Sequence, residues 1–141
     1  MSATRFLVDK SAFSRLASNP QVAGLWREFA VSGILGICPV TELEILFSAR
    51  SKADRNDLRS ELQDTYAWVV MPDQVYARAL EIQAALTDRG THRSAGPVDL
   101  LVAATAELEG LTLLHYDADF AAVAEVTGQR VQWVAEPGSV D

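Results

Sequence analysis

Short apolar runs bounded by polar residues alternate along the chain with longer stretches in which apolar residues recur every three or four positions. The first pattern predicts buried strands and the second predicts helices that pack by one face. Residues 5–8 (RFLV), 34–38 (ILGIC), 111–114 and 131–134 follow the first pattern, and 68–70 is a weaker fifth example. Between them, 11–16 starts a helix and Asn19-Pro20 opens another over 21–31. Val22, Leu25, Trp26, Phe29 and Ala30 keep helical spacing there, and Gly33 ends it. Residues 41–50 place Leu43, Leu46 and Phe47 on one face. Residues 53–65 form a charged, exposed helix with Leu58 and Leu62 one turn apart. Pro72-Asp73 opens a helix over 75–87 with Val75, Ala79, Ile82 and Leu86 inward. Pro97 starts a helix that runs to Glu109, where Gly110 closes it, and 118–126 is the last. Trp26, Phe29 and Phe47 read as core, with a subunit interface as the other role open to them.

Strands separated by helices predict an α/β fold, a three-layer α/β/α sandwich around a central, mainly parallel sheet. No repeat or Pro/Gly-rich linker divides the 141 residues, so they read as a single domain over 1–141. No apolar run is long enough to span a membrane, and Asp9 and Lys10 interrupt the first apolar stretch, which rules against a signal peptide. Cys38 is the only cysteine, as expected of a cytoplasmic protein, and between Ile37 and Pro39 it reads as a small core residue.

The net charge of −7 is wrong for a simple electrostatic binder of nucleic acid. It is compatible with an enzyme whose acids gather at a metal site, because bound divalent ions reverse the local sign. The positions of the acids decide what the charge means. Asp9 directly follows the first strand, and Asp117 and Asp119 follow the strand ending in LLH. Asp99 lies in the first turn of the helix opened by Pro97, and Glu44 lies early in the helix after the second strand. Open parallel sheets form their sites outside the carboxyl ends of the strands, so one edge can collect all of these acids. Each also has a plainer role, as a helix cap or a solvated surface charge. Ser11 can orient a carboxylate or merely cap. If the acids converge, each pair ~5 Å apart repels by roughly 3 kcal/mol at an effective dielectric near 20, so the cluster needs protons or cations. All-oxygen ligands favour Mg²⁺ or Mn²⁺, whereas His92 and His115 are isolated and no zinc-type spacing occurs.

Four segments resemble, in order, the motifs of the PIN-domain family: LVDKSAF around Asp9, PVTELEILFSAR around Glu44, GPVDLLVAATAELEG around Asp99, and LLHYDADF around Asp117 and Asp119. Each motif alone is weak; together they span nearly the whole chain. Lys10 and His115 stand where the family often has Thr or Ser. The subgroup most similar is that of the toxins of VapBC toxin–antitoxin modules. The resemblance implies a PIN-like fold and an endoribonuclease dependent on Mg²⁺ or Mn²⁺, held as a homodimer and inhibited by a small VapB-type antitoxin. It implies that Asp9, Asp99 and Asp117 hold metal, with Glu44 and Asp119 completing the site directly or through water. Water would attack phosphorus, leaving a 5′-phosphate and a 3′-hydroxyl. For the RNA backbone the candidate cations are Arg50, Lys52 and Arg55 past the Glu44 helix, and Arg89 and Arg93 before Asp99, although each is more readily read as a solvated surface charge. A structured RNA with an exposed loop, such as tRNA, is the natural substrate. Two rival readings are another Mg²⁺-binding α/β phosphotransfer domain and a PIN-fold binding subunit without catalysis. The first lacks its paired acids at strand one, and the second leaves the full set of acids unexplained.

Overall fold

The structure is a computed structural model and describes residues 3–141. Five strands, β1 (Phe6–Val8), β2 (Leu35–Ile37), β3 (Ala67–Trp68), β4 (Thr112–His115) and β5 (Val131–Trp133), form one sheet in the order β3-β2-β1-β4-β5. Every pairing is parallel. Seven helices connect them among the described residues: α1 (Lys10–Ser18), α2 (Pro20–Val31), α3 (Pro39–Phe47), α4 (Lys52–Thr65), α5 (Val75–Asp88), α6 (Pro97–Leu108) and α7 (Asp119–Thr127). Parallel pairing turns all carboxyl ends of the strands toward one edge. The central position of β1 and β4 puts the residues after them side by side.

Side chains alternate across a strand, and that alternation builds two cores. Phe6, Val8, Leu35 and Leu114 pack with Phe13, Val22, Trp26, Ile45, Leu46 and Leu62 from α1 to α4. Leu7 and Leu113 point the other way, onto Ile82 and Leu86 of α5, Leu100 and Ala103 of α6, and Phe120 and Val123 of α7. The α/β/α sandwich is therefore the observed architecture. The indole N–H of Trp26 donates to the Val134 carbonyl at 2.8 Å, which satisfies its polar atom within the core.

The helix starts follow their local chemistry. The Asn19 side chain accepts from the N–H groups of Gln21 and Val22, with Pro20 in the first turn of α2. Pro39 and Pro97 open α3 and α6, where a missing N–H costs nothing. Gly36 of β2 is required for a different reason. A Cβ there would lie 2.5 Å from Val69 Cγ2 and 2.8 Å from Thr4 Cγ2, so only glycine lets these side chains close over the strand.

Several sequence expectations need correction. In α3 the buried positions are Thr41, Ile45 and Leu46, whereas Leu43 and Phe47 are 69% and 89% exposed. The helix is apolar on two stripes, and the sheet accepts only the stripe containing Ile45. Phe29 is likewise on the surface, at 37% exposure, while Trp26 is core. The weak strand expected at 68–70 is Ala67–Trp68, with the Val69 N–H still bonded to the Ile37 carbonyl. β4 extends one residue further than expected, to His115. No helix is long and apolar enough to cross a membrane, among the described residues.

Candidate active site

Asp9 emerges from β1 and becomes the N-cap of α1. Its backbone N–H donates to the Leu114 carbonyl at 3.1 Å, which ties it to the neighbouring strand. Its Oδ1 accepts from the Ala12 N–H at 3.1 Å and from the Ser11 hydroxyl at 2.7 Å. Burial pushes its carboxyl up to about 6, and the negative charge of Asp99 adds to that; the bonds from Ser11 and Ala12 oppose it. Ser11 does more than cap. Its Oγ also accepts from the Tyr116 N–H at 2.8 Å, across 105 residues of sequence, and so couples the start of α1 to the exit of β4.

That exit carries Asp117. Its N–H donates to Nδ1 of His115 at 3.2 Å, and its Oδ1 accepts from the Asp119 N–H at 2.9 Å. His115 is fully buried beside Phe120 and Trp133, with ring centroids 5.3 and 4.8 Å away. Burial lowers its imidazole to about 4, so the ring is neutral near pH 7. With Nδ1 accepting, the proton sits on Nε2, which has no hydrogen-bond partner among the described residues.

Asp99, at the third position of α6, accepts from the Gly96 N–H at 3.2 Å, the one half of a capping box that a glycine N-cap allows. Burial raises its carboxyl, and the charges of Asp117 and Asp119 raise it further. Glu44 of α3 is also raised by burial, with Lys10 opposing and Asp99 reinforcing the shift. Thus four parts of the chain distant in sequence feel one another's charge.

Asp9, Glu44, Asp99 and Asp117 line a single cleft of about 240 Å³, together with Ser11 and Ser14. Asp119 does not line the cleft, but burial and the charge of Asp117 raise its carboxyl. The lining contains carboxylates, hydroxyls and no His or Cys, the donor chemistry of a hard divalent cation. No three His, Cys, Asp or Glu side chains close into a ready-made cage, among the described residues. A cation that keeps much of its own water, as Mg²⁺ does, needs only one or two direct carboxylates, so the donor set fits such an ion.

The cations of the cleft are Lys10 and Arg15. Arg50, Lys52, Arg55 and Arg93 are exposed and outside the lining, and Arg89 pairs with Glu125 at 3.4 Å. Arg15 went unnoticed in the sequence, although its spacing of four from Ser11 puts both on one stripe of α1. Tyr116 and His115 carried no signal of their contacts, because those bonds form between β4 and elements distant in sequence.

Comparison with known proteins agrees with this geometry. The PIN domain profile matches residues 6–126. The chain is 45% identical over 136 residues to Ribonuclease VapC21 of Mycobacterium tuberculosis, covering 96% of this chain and 98% of that protein. It is 41% identical over 133 residues to Ribonuclease VapC2 of the same species, covering 94% of each. Among solved structures, DNA-bound VapBC from Salmonella typhimurium contains a chain of the same fold, with a TM-score of 0.77 at 19% identity, covering 94% of this chain and 99% of that one.

Proposed function

The chain belongs to the PIN-domain family, among its VapC-type ribonucleases, and from that membership and the cleft we propose that it is a metal-dependent endoribonuclease serving as the toxin of a toxin–antitoxin pair. The observation that carries this reading is the meeting of Asp9, Glu44, Asp99 and Asp117 in one open cleft at the carboxyl edge of the sheet.

Asp9, Asp99 and Asp117 are the residues that would hold Mg²⁺ or Mn²⁺, with Glu44 in the cleft and Asp119 beside Asp117 as supporting acids. When bound, such an ion supplies charge neutralisation at the phosphate and lowers the pKa of water. The protein's own residues do the rest. Ser11 and the Ala12 N–H hold one oxygen of Asp9 and leave the other for the cleft. His115 fixes the backbone of Asp117 without adding charge, because it is neutral. The carboxyls of Asp9, Asp99 and Glu44 are raised first by burial and then by the charge of neighbouring acids, and a divalent cation would oppose both. In this reading Glu44 accepts a proton from the attacking water, and the products would carry a 5′-phosphate and a 3′-hydroxyl. A single-stranded loop of a structured RNA such as tRNA suits an open cleft.

The test is cleavage of labelled RNA by purified protein and its Asp9→Asn variant, with Mg²⁺, with Mn²⁺ and with excess EDTA. Loss of several kcal/mol of charge stabilisation corresponds to more than ~100-fold in rate at about 1.4 kcal/mol per decade. Activity that persists in EDTA, or an Asp9→Asn variant as active as the parent, would remove this mechanism. The partners under this reading are a small VapB-type antitoxin with a basic segment, suited to a chain of net charge −7, and a second copy of the chain. Co-expression with the adjacent reading frame, followed by light scattering of the purified complex, tests both.

A further inference from the structure

We propose that Arg15 is a preset clamp for a phosphate of the RNA backbone at the rim of the carboxylate cleft, an inference that rests on the nuclease reading and assigns this site its substrate-binding cation. Arg15 lines the same cleft as the four acids. It nevertheless makes no ion pair with any side-chain carboxylate; the ion pairs among the described residues are those of Arg59, Arg78 and Arg89. Arg15 thus lines the cleft without an ion pair to any of its four side-chain carboxylates.

The structure shows what holds it. Nε donates to the main-chain oxygen of Asp141 at 3.1 Å, and Nη1 donates to the Ser11 carbonyl at 3.2 Å. The guanidinium carbon sits 4.7 Å from the centroid of the Tyr116 ring, in cation–π contact. Tyr116 is itself immobilised. Its N–H donates to Ser11 Oγ, its hydroxyl donates to the Val140 carbonyl at 3.0 Å, and its ring meets Trp133 edge-on at 5.6 Å. Two guanidinium nitrogens are thus engaged by main-chain oxygens, and one face is stacked. Nη2 has no partner within the chain, among the described residues.

A guanidinium stacked on an aromatic ring with a free donor edge is the arrangement that binds phosphate, and its side-chain entropy is already restricted before the ligand arrives. The chain needs such a cation. At −7 it repels a polyanion as a whole, so attraction has to be local. The Ser11 link adds a geometric reason. The residue whose hydroxyl orients Asp9 offers its carbonyl to Arg15, so the clamp and the reacting centre share one rigid support.

The experiment measures binding of a labelled single-stranded RNA by fluorescence anisotropy across a salt series, in EDTA and starting from low salt. The parent, Arg15→Gln, Arg15→Lys and Arg27→Gln are compared. Arg27 is exposed on α2 and outside the cleft, so it controls for net charge. Arg15→Gln is expected to weaken binding about tenfold. It should also reduce the slope of log affinity against log salt by about 0.7, the value for one phosphate contact on a single strand. Arg15→Lys should keep the slope and lose about threefold, because an ammonium cannot keep both main-chain bonds and the ring contact while donating to a phosphate. In cleavage assays with metal, the Arg15→Gln loss should fall in KM. A parent that binds RNA with this pattern but does not cut it leaves the clamp standing and removes the nuclease reading. No binding by the parent at low salt, an unchanged slope in Arg15→Gln, or an equal effect of Arg27→Gln overturns the clamp. Thermal melts of each variant separate these outcomes from loss of fold.

Discussion

The two central strands, β1 and β4, each deliver an aspartate to the cleft, but the supports behind them differ. Asp9 is buried, and its own carboxylate takes the hydrogen bonds, from Ser11 and Ala12. Asp117 is only partly buried; its carboxylate takes one bond, from the Asp119 N–H, and its own N–H rests on the buried imidazole of His115. Burial drives both buried groups toward neutrality, the acid up to about 6 and the base down to about 4. One arm therefore stores electrostatic strain in the functional carboxylate, and the other places it in a neutral prop. The lesson is that desolvation can tune a site from two directions while leaving both carboxylates available to a cation.

The largest effect that tests this contrast is the pH dependence of stability without metal. The native carboxyl of Asp9 binds its proton more tightly than the unfolded chain does, so its contribution is intact below about 3.8 and lost as pH rises through about 6. Its two-unit shift corresponds to at most about 3 kcal/mol. His115 runs the other way. Its contribution is intact above about 6.5 and lost as pH falls through about 4, with a similar ceiling. Chemical denaturation in EDTA from pH 4 to 8 should therefore show Asp9→Asn more stable than the parent at pH 8 while it loses activity. His115→Asn should lose the acid-side decline. A parent-like pH profile in both variants would refute the contrast.

Ser11→Ala should have a smaller effect, about 1–3 kcal/mol of stability, because it leaves the Tyr116 N–H without its partner. Its activity should fall roughly 10–100-fold, as for other groups that orient metal-binding side chains. Ser11→Thr should recover most of that loss; an Ala variant with full activity would mean that Asp9 needs no such help. Tyr116→Phe should do least. It removes the hydroxyl's bonds to the 136–140 segment, worth about 0.5–1.5 kcal/mol, and keeps the aromatic face under Arg15. Urea denaturation measures the first, and the salt slope of RNA binding should stay as in the parent.

Much of this site was legible before the fold. Asp9, Asp99 and Asp117 stand beside breaks in the hydrophobic pattern, where strands end and helices begin, and those breaks are local events. Glu44 was legible for another reason, an acid interrupting an apolar helix. The apolar pattern failed in that same helix. Leu43 and Phe47 look as core-like as Ile45 and Leu46, yet they face outward. An α-helix with two apolar stripes carries no local instruction about which one meets the sheet. The cations of the cleft were not legible for a related reason. Arg50, Lys52 and Arg93 are conspicuous in sequence but lie outside the cleft, while Lys10 and Arg15 sit within it beside the motif acids.

By itself the sequence determined the alternation of strands and helices, the parallel sheet, and which acids would stand at its carboxyl edge. Those follow from side-chain periodicity and from capping chemistry, which act over a few residues. Tertiary structure alone decided that Ser11 would bridge Asp9 to Tyr116, that His115 would sit neutral beneath Asp117, and that Arg15 would line the cleft without pairing with its carboxylates. These depend on the register of β1 against β4, where Val8 pairs with Leu114, and on burial. Both are properties of the assembled sheet, set by contacts between residues about a hundred positions apart.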